Sequence, residues 1–191
     1  MKYTLIEHGN IYQGFFRLDV RTVRHDRFDG GELEIRREYM ERGDAVVVLL
    51  HDPARNKVLL IEQFRIGPTA RGDNPWLIEV VAGMLDEGED PLECARRESI
   101  EEAGYEPESL KLLKEYYPSP GGCSERILLY LGEVDAENPV GKGGGLDEEH
   151  EDIRVFWVSR EEALTMVQDG RINSSGPMLA ILLAFQHSAK S

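Results

Sequence analysis

Two almost uninterrupted apolar runs, close together in the sequence, constrain the fold of this chain more than any other feature. Residues 45–50 and 57–61 are dense in Val, Leu and Ile, and the turn-forming residues His51, Asp52 and Pro53 lie between them. A strand that is apolar at every position is typically buried on both faces, whereas a half-exposed strand alternates apolar and polar residues. The two runs therefore predict a hairpin deep inside the protein.

The elements predicted around this hairpin are a mixture of strands and helices. Strands are predicted over residues 76–82, 110–117, 127–134 and 153–158, and helices over residues 91–103, from Ser159 to near Gly170, and over residues 176–188. Their order is not a strict alternation of strand and helix. The sequence thus predicts an α/β fold in which a mixed sheet is flanked by helices.

The helix predicted over residues 91–103 has well-formed end signals. Asp90 can cap its first turn, Pro91 suits the first helical position, and Glu93 stands three residues after the cap. Gly104 can end the helix in a left-handed conformation. These signals define where along the chain the helix begins and ends.

The N-terminal residues follow a different pattern. Apolar and polar residues alternate in stretches of residues 3–40, and a turn signal, Phe-Asp-Gly-Gly, occupies residues 28–31. This pattern predicts half-buried antiparallel strands. Because about 40 residues can hardly bury an independent core, the segment must pack against the rest of the chain or a second copy of it. We therefore divide the chain into an N-terminal β segment, residues 1–44, and a main domain, residues 45–191.

Composition and charge exclude several functions. The net charge of −14 disfavours nonspecific nucleic-acid binding, which needs clustered Lys and Arg. Cys94 and Cys123 are too few for a disulfide framework or a four-cysteine zinc site. No apolar run approaches the roughly 18 residues that span a bilayer, and the N-terminus does not look like a secretory signal. We expect a cytoplasmic protein with no nucleic-acid or membrane partner, and any anionic substrate would need divalent cations beside this acidic chain.

Three glutamates of the helix over residues 91–103 have a spacing that suggests chemistry. Glu98, Glu101 and Glu102 stand at i, i+3 and i+4, so their carboxylates share one helical face. Such a face can simply be solvated, because like-charge pairs at this spacing cost only about 0.2–0.5 kcal/mol each. Clustered carboxylates are also the ligands that Mg²⁺ selects. The spacing alone leaves both interpretations open.

The wider segment resembles the Nudix box, G-x5-E-x7-R-E-U-x-E-E-x-G-U, in which U is a bulky aliphatic residue. Every Gly, Glu and Arg of that pattern is present between Gly83 and Gly104, whereas Ser99 and Tyr105 stand where aliphatic residues are usual. The resemblance implies a Nudix α/β/α sandwich and bound Mg²⁺, or alternatively Mn²⁺, that activates water and neutralises a diphosphate. It also implies an Arg97–Glu89 structural pair and a metal site made of Glu98 and Glu102, with Glu101, Glu151 and the carbonyl of Ala82.

The resemblance extends over nearly the whole chain to bacterial ADP-ribose pyrophosphatases. It is carried by VAGMLDEGED at residues 81–90, SPGGCSER at residues 119–126 and GLDEEHEDIRV at residues 145–155. It implies hydrolysis of ADP-ribose, a nucleoside diphosphate sugar, to AMP and ribose 5-phosphate. One alternative is a sibling enzyme that acts on GDP-mannose or another nucleotide sugar. The other is a Nudix domain that senses a nucleotide without cutting it, against which the intact box glutamates argue.

Residues outside the box receive substrate roles from the same resemblance. Arg65 is similar to an arginine that holds the diphosphate, and the SPGG run with Gly121 and Gly122 brings Glu125 toward the ribose side. Phe28, more often a core or interface residue, is a candidate shelf for the adenine. In the subfamily the N-terminal strands exchange with a second subunit, so we expect a homodimer.

The acidic run over residues 147–152 has two interpretations. Such runs are usually solvated loops. Beside a Nudix box, this one resembles a mobile loop that closes over the substrate, in which Glu149 is the general base and Glu151 a further metal ligand. Glu101 is a rival for the base. The preceding run, residues 141–145, lacks the Ser or Thr and the spacing of a Walker loop, so we expect it to be a flexible hinge.

Overall fold

The computed structural model describes residues 1–146, 148 and 150–185, and it divides into two compact units. The first unit contains Met1–Gly43 and Tyr117–Arg126, and the second contains Asp44–Tyr116 and the chain from Ile127 onward. The first unit therefore includes a segment from the middle of the sequence as well as the N-terminal strands.

The first unit contains a three-stranded antiparallel sheet of β1 (Tyr3–Gln13), β2 (Arg17–Asp26) and β3 (Glu32–Glu41), in the order β1-β2-β3. The segment 117–126 joins the end of this sheet. The N–H of Met40 donates to the carbonyl of Gly122 at 2.9 Å, and the carbonyl of Met40 accepts from the N–H of Ser124 at 3.0 Å. The alternating pattern thus forms antiparallel strands, as predicted, but the half-buried part of the prediction was wrong for β1, which is exposed at every position except Gly9.

The second unit is built on a seven-stranded sheet. Five strands follow the order β10-β5-β4-β9-β8, with β6 beside β5 and β7 beside β4. The strands are β4 (Asp44–Asp52), β5 (Lys57–Phe64), β6 (Trp76–Glu79), β7 (Val81–Met84), β8 (Ser109–Tyr116), β9 (Arg126–Glu133) and β10 (Arg154–Ser159). The helices are α1 (Ile66–Thr69), α2 (Pro91–Glu98), a π-helical turn (Ser99–Ala103), α3 (Arg160–Gln168) and α4 (Ser175–Phe185).

Helices cover both faces of this sheet, as the apolar runs require. Along β4, Val46, Val48 and Leu50 belong to one buried cluster, which includes Cys94 and Ala95 of α2. Val47 and Leu49 belong to a second cluster, which includes residues of α3 and α4. Since successive side chains of a strand point to opposite faces, the result is three layers. The predicted α/β/α sandwich is confirmed.

The central hairpin is splayed, so that β4 and β5 have different partner strands away from their turn. β4 and β5 pair with each other through His51–Val58 and Asp52–Lys57, near their turn. Farther from the turn, β5 pairs with β6 and β4 pairs with β7. The single strand predicted over residues 76–82 was therefore wrong: the chain changes partner at Val80, and an apolar run in a sequence does not indicate which strand it will pair with.

Other predicted boundaries need smaller corrections. The last helix covers Ser175–Phe185, and residues 186–188 of its predicted range lie outside the described residues. The short helix α1 had no sequence signal. At α3, Ser159 accepts a hydrogen bond from the N–H of Glu162 at 3.1 Å, so that capping interaction is present. Within the described ranges, no helix is long and apolar enough to cross a membrane.

Candidate active site

The helix that carries the glutamates begins as its sequence predicts. The side chain of Asp90 accepts a hydrogen bond from the N–H of Leu92 at 2.8 Å, and Pro91 is the first residue of α2. Arg97 reaches back over the loop before the helix. Its Nε lies 3.0 Å from Glu89 Oε1 and its Nη2 lies 3.2 Å from Glu89 Oε2. The predicted Arg97–Glu89 pair is thus present, and these bonds, with the Asp86 N–H, lower the pKa of Glu89 to about 2.

The end of the helix differs from the prediction. Instead of a continuous α-helix over residues 91–103, the chain changes after Glu98 to a single π-helical turn, which ends at Gly104 with φ +79°. The N–H of Gly104 donates to Ile100, and that of Tyr105 donates to Ser99. The carboxylates of Glu98 and Glu101 both accept from Arg97 Nη1, as a shared helical face predicts, although a π turn holds more residues than an α turn and shifts the i+3 and i+4 positions around the helix. Such turns occur often at functional sites.

Gly83 allows the strand backbone to approach the first of these glutamates closely. A Cβ atom placed on Gly83 would lie within about 2 Å of the carboxylate of Glu98. The side chain of Glu98 is 13% exposed and also accepts from Arg97 Nη1 at 2.8 Å. The first glycine of the box therefore allows the close contact between β7 and the helix, because any side chain at this position would collide with Glu98.

Glu102 lies deeper than Glu98. It is 2% exposed, and its Oε2 accepts from the N–H of Ala82 at 3.0 Å. Burial raises the pKa of Glu102 well above its usual range, and the charges of Glu98 and Glu151 raise it further, although the Ala82 hydrogen bond opposes this. Burial likewise raises the pKa of Glu98 to about 7, against the effect of Arg97. Two carboxylates thus lie close together where water stabilises their charge poorly.

The remaining predicted metal-site residues surround this pair. The charge of Glu151 raises the pKa of both Glu98 and Glu102, which places its carboxylate near them. The charge of Glu101 also raises the pKa of Glu98, and Glu101 Oε2 accepts from Arg97 Nη1 at 3.1 Å. Ala82 contributes its N–H to Glu102, and the predicted role of its carbonyl stays a prediction.

Arg65 is held by an acidic residue that sequence reasoning missed. Its Nε donates to Glu79 Oε2 at 2.8 Å, and its positive charge lowers the pKa of Glu102. The other oxygen of Glu79 lies 3.4 Å from the hydroxyl of Ser174. In the antiparallel register of β5 and β6, Glu79 stands opposite Ile61, four residues before Arg65, so the long Arg65 side chain reaches back along β5 to contact it. No local signal marks Glu79, because its role depends on that pairing.

The predicted substrate residues other than Arg65 lie in the first unit, although three of them belong to residues 45–191, which the sequence assigned to the main domain. Glu125 pairs with Arg42 at 3.1 Å, and Gly122 bonds to β3 as described above. Gly121 has open space around the position of a Cβ atom, and Phe28 is 98% exposed at the turn between β2 and β3. Their substrate roles stay predictions. Glu149, the predicted base, lies outside the described residues.

The chemistry of this carboxylate cluster fits divalent cations. In residues 1–146, 148 and 150–185, no three Asp, Glu, His or Cys side chains are arranged closely enough to hold a metal ion together. Arg97 engages Glu98, and the N–H of Ala82 engages Glu102. Burial nevertheless raises the pKa of both Glu98 and Glu102, so their charged forms are disfavoured even with these donors in place. Hard cations with a preference for carboxylate oxygen would stabilise the charged forms.

An α/β/α sandwich that presents such carboxylates on a helix beside a strand glycine defines a pyrophosphohydrolase of the metal-dependent class. Comparison with known proteins agrees with this class. The model of the NUDIX domain matches residues 41–178, and the chain belongs to the Nudix family.

Several curated relatives match almost the whole chain. The ADP-ribose pyrophosphatase of Escherichia coli (strain K12) is 46% identical over 187 residues, which cover 97% of this chain and 89% of the relative. That of Haemophilus influenzae is 41% identical over 174 residues, covering 89% and 80%. The GDP-mannose pyrophosphatase of Citrobacter koseri is 35% identical over 189 residues, covering 98% and 96%.

A solved structure described as an ADP compounds hydrolase has a similar fold. Its TM-score is 0.77 at 18% identity, and the match covers 100% of this chain and 98% of the other. At this level of identity, the likeness supports the fold alone.

Proposed function

We propose that the protein hydrolyses the diphosphate of ADP-ribose to AMP and ribose 5-phosphate. The observation that carries this proposal is the buried pair Glu98 and Glu102, with raised pKa values, on a Nudix helix. The choice of ADP-ribose rests on the 46% identity to a relative with that activity in its name.

Divalent cations, Mg²⁺ or Mn²⁺, would be held by Glu98 and Glu102, with Glu151, Glu101 and the Ala82 carbonyl as further ligands. Bound there, they would neutralise the diphosphate and lower the pKa of the attacking water. The residues themselves set up this site. Arg97 and the N–H of Ala82 hold the carboxylates in place, and burial disfavours their charged forms until a cation is present.

The general base is a choice between two residues. Glu149 is the first candidate, because it belongs to the acidic loop that also contributes Glu151. Glu101 is the rival, and its Oε2 already accepts a hydrogen bond from Arg97 Nη1 at 3.1 Å. This contact favours Glu149.

The substrate would be oriented by residues from several elements. Arg65 would bind the diphosphate, since Glu79 holds its guanidinium near Glu102. The residues proposed for the nucleoside and ribose side are Glu125, Gly121, Gly122 and Phe28.

A panel of substrates tests the proposal. The protein would be incubated with Mg²⁺ and, separately, ADP-ribose, GDP-mannose, ADP-glucose and a diadenosine compound, and the products identified by mass spectrometry. We expect AMP and ribose 5-phosphate from ADP-ribose at the highest kcat/KM. A preference for GDP-mannose, the activity named for the 35% identical relative, would replace the substrate but keep the enzyme class. No cleavage of any compound would favour a nucleotide-sensing domain.

We further propose a homodimer in the cytoplasm. The dimer is supported by the apolar side chains that the N-terminal strands leave exposed, among them Leu5, Ile6, Ile11 and Leu33. An exchanged N-terminal segment, residues 1–44, would cover them. Light scattering at micromolar concentration should give twice the 21.6 kDa mass of the chain, and a monomer would contradict the proposal. The location is supported by the two cysteines, both of which are free.

A further inference from the structure

The backbone of the glycine-rich run before the acidic loop is hydrogen-bonded to the end of the helical segment that carries the box glutamates. We call residues 140–146 the glycine strap. The N–H of Gly144 donates to the carbonyl of Glu102 at 2.8 Å, and that of Gly145 donates to Glu101 at 3.1 Å. The carbonyl of Gly104 accepts from Val140 at 2.9 Å and from Gly141 at 3.1 Å. The last carbonyls of a helix usually lack partners within the helix. Here the N–H groups of the strap donate to these carbonyls and hold the strap in place. The expected flexible hinge was therefore wrong.

The other side of the strap holds Glu151. The carbonyl of Gly144 accepts from the N–H of Ile153 at 3.1 Å, which closes the base of the acidic loop. The carbonyl of Leu146 accepts from the N–H of Glu151 at 3.2 Å, and the N–H of Leu146 donates to Glu151 Oε2 at 3.3 Å. The strap therefore lies between the π-helical turn and Glu151, and its hydrogen bonds join the two.

Two glycines of the strap have no room for a side chain. A Cβ on Gly145 would lie 2.5 Å from Glu151 Cβ and 2.6 Å from Glu151 Oε2. A Cβ on Gly143 would lie 2.6 Å from the carbonyl carbon of Ala103 and 2.8 Å from the carbonyl oxygen of Glu102. Contacts below 3.0 Å force a displacement. At Gly145 the displaced group is the Glu151 side chain, and at Gly143 it is the backbone of the π turn.

We propose that Gly143 and Gly145 are positioning residues that keep Glu151 in register with Glu98 and Glu102. Two carboxylates of the site come from a helix and one from a loop distant in sequence, and cations need ligands from both at fixed distances. The strap sets that distance through backbone hydrogen bonds on both of its sides. The inference rests on the proposed role of these glutamates as metal ligands.

A matched pair of glycine substitutions tests the proposal. Gly145 and Gly170 have almost the same left-handed backbone, with φ of +82° and +83°, but a Cβ on Gly170 meets open space. Gly145→Ala and Gly170→Ala therefore share the backbone strain and differ in the collision with Glu151. The full chain is used, and Mn²⁺ binding is measured by titration calorimetry without substrate, beside Tm in EDTA and the Mn²⁺ dependence of ADP-ribose hydrolysis.

We expect both variants to lower Tm by about 2–4 °C. Gly145→Ala alone should weaken Mn²⁺ binding about tenfold, as loss of an outer-shell partner does, and should raise the Mn²⁺ concentration for half-maximal activity by a similar factor. Gly143→Ala should weaken binding at least as much. Equal Mn²⁺ affinity in Gly145→Ala and Gly170→Ala would overturn the proposal.

The wild type and Glu151→Gln separate this inference from the proposed function. If the wild type binds Mn²⁺ but cleaves no ADP-ribose, the proposed function fails, while the calorimetry still decides the role of Gly145. If Glu151→Gln binds Mn²⁺ as tightly as the wild type, Glu151 is not a ligand and the positioning role is overturned. A tenfold loss in both Glu151→Gln and Gly145→Ala supports the inference.

Discussion

The two ends of the helical segment that carries the box glutamates, residues 91–103, have opposite effects on the pKa of buried carboxyl groups. At its beginning, Glu89 accepts two hydrogen bonds from Arg97, and its pKa falls to about 2. At its end, burial raises the pKa of Glu98 to about 7 and that of Glu102 well above its usual range. One short helix thus separates a carboxylate whose charged form the protein stabilises from two whose charged forms burial disfavours.

This difference shows which acidic residues serve structure and which are available for function. A carboxylate whose charged form is already stabilised gains little from a metal ion. Burial, in contrast, makes Glu98 and Glu102 unfavourable as charged groups, even though Arg97 also contacts Glu98. Strongly perturbed acids in a cluster are typical of functional sites. Substitutions at the two ends of the helix should therefore differ in what they change, and the largest effects are expected at the end that carries Glu98 and Glu102.

Removing the charge of Glu102 should have the largest effect. Glu102→Gln is expected to lower kcat for ADP-ribose at least about 10³-fold, because a metal ligand worth several kcal/mol in the transition state is lost. The metal-free variant should be as stable as the wild type in urea, since Gln can still accept from Ala82. Glu93→Gln, in the exposed first turn of the same helix, is the control. Activity within tenfold of the wild type would show that Glu102 is not a principal ligand.

The metal-free protein should lose stability as pH rises. Because Glu98 has a folded-state pKa of about 7 and an ordinary value of 4.5, the folded state holds this proton more tightly than the unfolded chain. The stabilisation is complete below about pH 4.5 and is lost as pH rises through 7, which amounts to about 3 kcal/mol.

Urea denaturation in EDTA between pH 5 and 8 measures this loss, and Glu98→Gln should reduce its slope. Mn²⁺ should also reduce it, because a cation compensates the charged form. An identical slope with Glu98→Gln would mean that other groups cause the pH dependence.

Substitution of Glu89, at the other end of the helix, should affect stability and not metal binding. Glu89→Gln is expected to lower the free energy of unfolding by about 2 kcal/mol, since a charge-assisted interaction with Arg97 becomes a weaker neutral one. The loss should be the same with and without Mn²⁺, and Glu87→Gln, at an exposed neighbouring position, should have no effect. A loss that disappears when Mn²⁺ is added would place Glu89 among the metal ligands instead.

The helix cap should have the smallest effect. Asp90→Ala should cost about 1 kcal/mol, because the N–H of Leu92 loses its acceptor. Asp90→Asn keeps an acceptor and should cost far less. An equal loss in Asp90→Asn and Asp90→Ala would mean that the charge of Asp90, and not its hydrogen bond, stabilises the helix.

Local interactions in the helix could be predicted because they depend on neighbours in the sequence. Asp90 caps α2 and Gly104 ends the helical segment, both as the residue types indicate. The burial of β4 and β5 followed from their apolar runs. The π turn was missed, because its hydrogen bonds depend on how the carbonyls at the helix end are satisfied, and the glycine strap that satisfies them lies far along the chain.

The sequence by itself determined the family, the three-layer fold and the glutamates of the box that one helix carries. Only the tertiary structure decided which of these acids burial disfavours as charged groups, how Glu79 holds Arg65, and why Gly143 and Gly145 have no room for a side chain. The physical reason is range: caps and strand patterns act over a few residues, whereas burial, pKa values and close backbone contacts depend on which distant segments pack together.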